Sequence, residues 1–155
     1  MATYQGFVDG TFNLGTDTSI TIIDNDTGAP ISLAGRLTTY KPDPKVTVVV
    51  SDPIDNGGLS QHRTAYHGWT IALSIDRATG DIDSLQAEVE TNYYQQGLQK
   101  YFTIVEVTRD VNNGTIDTYT YLYGVMNLTT SGERKKDSNI VINMTLDCQQ
   151  RVQST

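Results

Sequence analysis

At 155 residues, with a net charge of −7 and 37% hydrophobic residues, the chain has the length of one domain with a real core. The acidic excess excludes a protein that grips nucleic acid through clustered Lys and Arg. No apolar run approaches the ~20 residues of a membrane helix, the single Cys148 excludes an internal disulfide, and Met1-Ala2-Thr3-Tyr4-Gln5 lacks the basic and apolar regions of a signal peptide.

Residues 4–34 hold short strand candidates, with Ser19-Ile20-Thr21-Ile22-Ile23 the clearest, followed by a turn at Asn25-Asp26-Thr27-Gly28. Arg36 to Tyr40 looks extended and is expected to stop at Pro42-Asp43-Pro44, and Lys45-Val46-Thr47-Val48-Val49-Val50 is a β-branched strand. Ser51 to His67 carries Pro53, Gly57 and Gly58 with almost no periodicity, which predicts a long loop. Loops beyond ~12–15 residues in a compact domain tend to be functional or disordered, and this one suits an arm that orders against a neighbouring subunit.

Gly68 to Ile75 is a strand. After it, Ile82, Leu85, Val89 and Tyr93 form one apolar stripe on a helix over about 81–96, capped by Asp81 or Asp83 and stopped by Gly97. Tyr101 to Val107 is the next strand, and Asn112-Asn113-Gly114 turns the chain into a long one, Ile116 to Leu128, roughly 43 Å at about 3.3 Å per residue. Tyr119, Tyr121 and Tyr123 share a face there, with Gly124 placed to bulge and shift the phase. The last strand alternates strictly. Ile140, Ile142, Met144, Leu146 and Cys148 point one way, while Asn139, Val141, Asn143, Thr145 and Asp147 point the other. One helix among about eight strands must lie on a sheet, so the expected fold is mainly β (α+β): a single domain over 1–155 built as an antiparallel sandwich or barrel with one flanking α-helix.

Chemistry-bearing patterns are sparse. His62 and His67 lack the partners and spacing of a metal site, no Gly-x-Ser-x-Gly elbow or phosphate loop occurs, and Asp81 with Asp83 reads as capping. Neither an enzyme nor a cofactor-binding protein is expected. The tyrosines read as packing, much of it against another chain.

His67-Gly68-Trp69 through Ile75-Asp76-Arg77, Gly80-Asp81-Ile82-Asp83, Tyr93-Tyr94-Gln95-Gln96-Gly97, Ile104-Val105-Glu106-Val107, Asn113-Gly114 and Tyr121-Leu122-Tyr123-Gly124-Val125 together resemble the tail tube proteins of contractile-tailed bacteriophages. The resemblance covers roughly residues 66–150. It implies hexameric rings that stack into a hollow tube in the virion tail, assembled in the host cytoplasm, and a β-lined channel for genome delivery. Implied partners are further copies of itself, sheath, baseplate or tube-initiator and tail-terminator proteins, and viral DNA that passes without specific binding; no membrane is involved. An extended loop that contacts the next ring is also implied. Ser51–His67 is the segment in that place, with Asp52, Asp55, His62 and Arg63 as candidate contacts; the N-terminal segment and Gln149–Thr155 are lesser ones. Candidate lumen residues are Glu106, Thr108, Asn139, Asn143, Thr145 and Asp147, polar positions of the long strands on a wall expected to be acidic. A tube of a secretion or pyocin-like particle is the alternative, and a monomeric β-sandwich that binds a ligand through its tyrosine row is a third.

Overall fold

The structure is a computed structural model, and it describes residues 17–33, 36–55, 57–111 and 114–154. The candidate strands before Asp17 and the Asn112-Asn113 pair lie outside these residues.

Eight strands follow in chain order: β1 (Thr18–Asp24), β2 (Pro30–Ser32), β3 (Leu37–Ser51), β4 (Gln61–Asp76), β5 (Phe102–Arg109), β6 (Ile116–Thr130), β7 (Val141–Cys148) and β8 (Gln150–Ser154). Among the described residues one α-helix, α1 (Asp81–Thr91), stands between β4 and β5 and widens into one π turn over Asn92–Gln96. All pairings are antiparallel, in the order β2-β1-β5-β6-β7-β4-β3, with β8 continuing β7 along the first half of β6. Among the described residues the sheet is open, and it folds over on itself. Tyr40 on β3 reaches Glu106 on β5, although three strands separate them in the sheet order. The result is the mainly β, tube-like sandwich with one flanking helix that the sequence predicts.

Alternation decides what fills the gap between the halves. Ile20 and Ile22 of β1 and Phe102 and Ile104 of β5 face Ile71, Leu73 and Ile75 of β4 and Ile142, Met144, Leu146 and Cys148 of β7. Cys148 is thus a core residue, and burial pushes its thiol up to about 12, so it stays protonated. The helix adds Ile82 and Leu85, with Val89 packed at the rim. The predicted stripe ends there. Tyr93 is exposed, because the π turn rotates it off the line and against Tyr94, ring edge to ring face at 5.2 Å. The N-cap position itself is Gly80, but Asp81 Oδ1 accepts from the first-turn N–H of Ile82 at 2.9 Å. Asp81 also makes a bidentate pair with Arg36 (3.0 and 2.8 Å), and Asp83 meets Arg77. Gly97, at φ 65°, supplies the left-handed stop.

A buried ion cluster joins helix to sheet. Lys100 Nζ lies 2.7 Å from Asp24 and 2.9 Å from Glu88, and both Lys100 and Asp24 are buried. Burial pushes the Asp24 carboxyl up, but bonds from Lys100, the Asp26 N–H and Thr27, with the Lys100 charge, outweigh it and hold the group below its ordinary 3.8. A depressed carboxyl contributes stability above the unfolded value and loses it as pH falls through the folded one. Asp24→Asn is therefore expected to cost about 2 kcal/mol in urea denaturation at pH 7, and progressively less as pH falls through the lowered value of the folded carboxyl. A cost that stays constant over an acid titration would contradict this assignment.

Three expectations are corrected. The chain does not stop at Pro42-Asp43-Pro44: β3 runs through both prolines for 15 residues, which an edge strand permits. The predicted loop over Ser51–His67 is strand from Gln61 onward, leaving only residues 52–60 as the connection. The phase shift expected at Gly124 is there, one extra residue of β6 between Tyr121 and Gly124, but Tyr123, at φ 54°, turns outward and does not share the face of Tyr119 and Tyr121.

Candidate assembly surface

Past Trp69, β3 and β4 leave the sandwich. At that point four residues of β4, Tyr66 to Trp69, oppose three of β3, Pro44 to Val46, and Gly68 takes φ 90°. From Val46↔Tyr66 to Ser51↔Gln61 the two strands continue alone as a ribbon. One face carries Val46, Val48, Val50, Thr64 and Tyr66, with the valines 43–56% and Tyr66 79% exposed. An isolated two-stranded ribbon is marginal in water, and this one holds an apolar face that no other described residue covers.

The candidate contact residues sit on this arm. His62 pairs with Val50 on the apolar face, and Arg63 pairs with Val49 on the other. Asp52 accepts a hydrogen bond from the Ser60 hydroxyl across the tip, and Asp55 is exposed beside the fully exposed Ile54.

The candidate lumen residues fall on two different faces. Asn143, Thr145 and Asp147 lie on the outward face of β3, β4, β7 and the second half of β6. Register builds cross-strand rows there: Asp43–Thr70–Asp147–Val125 and Lys41–Ala72–Thr145–Asn127. Ser74 donates to Asn143 at 2.7 Å. Asn139 precedes β7, donates to Asp76 (2.7 Å) and lines with Asn143 an open polar cleft of about 390 Å³. This face is hydroxyl and amide rather than acidic. Its lysines are paired, Lys45 with Asp147 at 2.6 Å and Lys41 with Asp43 at 3.6 Å. The Lys45 bond, joined by one from Thr70, holds the Asp147 carboxyl below its ordinary range.

Glu106 and Thr108 are elsewhere. They continue the Phe102 and Ile104 phase of β5 and so face the inside of the fold. Glu106 Oε2 accepts from Tyr40 (2.9 Å) and Tyr121 (3.0 Å), and Thr108 donates to Oε1 at 3.4 Å. Burial and the Glu106 charge push the Tyr40 phenol far up, which keeps it a donor. Arg151 lies 4.0 Å from the Trp69 ring centroid and 4.5 Å from that of Tyr119, while Trp69 meets Tyr121 edge-on at 5.8 Å. Tyr40, Trp69 and Arg151 are missed by sequence reasoning. Counting alternate residues from Phe102 would have placed Glu106 inside; the Arg151 stack depends on β8 folding back along β6, which no local pattern shows.

Among the described residues no group of three or more His, Cys, Asp or Glu is arranged to hold a metal ion, and no helix is long and apolar enough to cross a membrane.

No protein-family model matches the chain, and no curated protein sequence does. Solved structures match it over nearly its whole length. A chain of the tube-terminating cap of the anti-feeding prophage is 12% identical at a TM-score of 0.65, over 100% of this chain and 95% of that one. A chain of the sheath–tube complex of an extracellular contractile injection system (PVC) is 9% identical at 0.63, over 100% and 99%. One from the sheath/tube terminator of that system is 10% identical at 0.63, over 88% and 93%. The chain has the tail-tube-like β-sandwich fold that also occurs in these contractile injection assemblies.

Proposed function

We propose that this chain is the structural subunit of the tube of a contractile, phage-tail-like particle, closing into six-membered rings that stack and leave a channel for DNA. The observation that carries this reading is the arm. A ribbon from Val46 to Tyr66 with an exposed apolar face, on a chain with this fold, is a part made to be covered by another copy. The ring number and the DNA cargo come from the phage resemblance. Sheath, baseplate and terminator components are the partners, as in the assemblies whose chains share the fold.

The channel wall we assign is the outward face bearing Asn143, Thr145 and Asp147. Hydroxyls, amides and Ala72 give a passing duplex nothing to grip, and Lys41 and Lys45 each have an acid beside them. A wall that must let a polyanion slide needs no acidic lining if its cations are neutralised in place. The remaining acids add a general repulsion through the net charge of −7.

Sedimentation velocity and negative-stain microscopy of the purified chain over a concentration series test the proposal. Rings or tubes with a central hole are expected, and those particles should not retain duplex DNA at low salt. A single monomeric species at every concentration would overturn it.

A further inference from the structure

The root of the arm is gripped by one short stretch of chain, the corner where β7 passes into β8. On the outward face Asp147 accepts from Lys45 at 2.6 Å and from Thr70 at 2.9 Å. In the main chain, Gly68 presses against the corner. A Cβ on it would stand 2.1 Å from the carbonyl oxygen of Cys148 and 3.1 Å from that of Gln149. On the inward face Arg151 lays its guanidinium over the Trp69 ring, 4.0 Å from the centroid, and over Tyr119 at 4.5 Å. Lys45, Gly68 and Trp69 stand where β3 and β4 enter the ribbon, since Trp69↔Cys148 is the last pair between β4 and β7.

Arg151 differs from the other holds. Asp147 and Cys148 belong to β7, which has β4 on one side and β6 on the other. Among the described residues β8 pairs with β6 alone, and it is exposed at all five of its positions. A strand held by one ladder with no buried side chain belongs to the low-stability end of a fold, as an isolated ribbon does. Arg151 joins these two weak elements to each other. It stands opposite Tyr121 in the β6–β8 ladder, so its guanidinium reaches Trp69 only while β8 is seated. Trp69 meets Tyr121 edge-on at 5.8 Å, and the Tyr121 hydroxyl is tied to Glu106 at 3.0 Å, so the receiving ring has a fixed backing.

We propose that Arg151 is a positioning residue for the arm: its contact with Trp69 makes β8 and the arm's root one cooperative unit, so that the root is held in place only while β8 is docked. The coupling stands on the contacts at the corner. Its consequence for assembly rests on the function proposed above. A cation over an aromatic face at an exposed site shifts an equilibrium about two- to fivefold. That is enough to separate the opening of two weak elements and too little to unfold the sandwich.

Hydrogen exchange tests this, first in the unmodified subunit. Amides of β8 and of the ladder at the arm's root should open together, with one dependence on denaturant, while the core of β4 and β7 opens more slowly. Arg151→Ala should separate the two and leave far-ultraviolet circular dichroism native. Root amides should then exchange about two- to fivefold faster, and the concentration at which assembly begins should rise by a similar factor. Trp69 is the chain's one tryptophan, and its emission should move to the red as water replaces the guanidinium. Arg151→Lys keeps a cation over the ring and should recover part of each change. On a Trp69→Leu background, Arg151→Ala should alter root exchange no further, because the two residues act through one contact. Unlinked opening of β8 and the root in the native subunit overturns the inference, even where a variant fails to fold. Native root exchange in folded Arg151→Ala overturns it too, and so does an additive effect on the leucine background. A native chain that never assembles overturns the functional proposal instead, and the exchange data still decide this one.

Discussion

A chain in which Val48–Thr64 is replaced by Asn-Gly folds normally and stays monomeric: this is the expected result of removing the arm. The cut leaves Thr47 facing Ala65, a pair whose N–H and C=O groups point at each other, and a two-residue Asn-Gly connection closes a hairpin at such a pair. No residue in the deleted segment belongs to the core, whose β4 members begin with the rim residue Trp69 and continue through Ile71, Leu73 and Ile75. The melting temperature should therefore shift by no more than a few degrees, within what a surface change produces. Assembly should be lost entirely, because the exposed valine face loses Val48 and Val50. Tubes of normal form from the truncated chain would remove the basis of the proposed function. The measurement is sedimentation with microscopy, read against an unchanged near-ultraviolet circular dichroism spectrum that certifies the fold.

The same arm shows where sequence patterns succeed and fail. The β7 alternation was legible because Ile142, Met144, Leu146 and Cys148 all enter one core, and burial imposes the period of two. Ile82, Leu85 and Val89 were legible for the same reason on a helix. Gln61-His62-Arg63-Thr64-Ala65 was not, since a ribbon that buries nothing against its own chain has no apolar period to display. Pro42 and Pro44 look like a strand's end to a local rule, and only the position of β3 at the edge of the sheet makes them tolerable. Glu106 reads from sequence as a wall residue because it is a polar position on a long strand. Its place is set by Tyr40 and Tyr121, and the first of these is distant in sequence. The candidate wall was thus half legible: Asn143, Thr145 and Asp147 share a face by simple alternation, while the lysines that neutralise its acids come from the other side of a cross-strand register.

Gly68→Ala is expected to be among the most damaging single changes in the chain. Breaks in the ladders fall on four neighbouring strands, at Tyr123-Gly124 in β6, Gln149 between β7 and β8, Gly68 in β4 and Lys45 in β3. Gly68 is where β4 parts from β7 and turns into the arm. Its φ of 90° is strained for any L residue, and a Cβ there would lie 2.1 Å from the carbonyl oxygen of Cys148 and 3.1 Å from that of Gln149. Both are main-chain atoms, so no rotamer change relieves the overlap; the strands themselves must separate. Backbone strain of about 1–3 kcal/mol and overpacking of a similar size sum to about 4–5 kcal/mol. For a chain of this length that is a fall of about 10–15 °C in melting temperature.

Two other glycines separate the causes. Gly97 has φ 65° with nothing within 4 Å, so Gly97→Ala reads the conformational cost alone, about 1 kcal/mol. Gly124 has no positive φ, and its added Cβ would meet the Ile104 Cδ1 at 2.9 Å and the Cys148 Sγ at 3.1 Å, which side-chain movement partly relieves, for about 2 kcal/mol. The order Gly68 > Gly124 > Gly97 is the expected outcome of a thermal-melt series. If Gly68→Ala proved no worse than Gly97→Ala, the close approach of β4 to Cys148 would be wrong. The end of β4–β7 pairing at Trp69 would then need another cause.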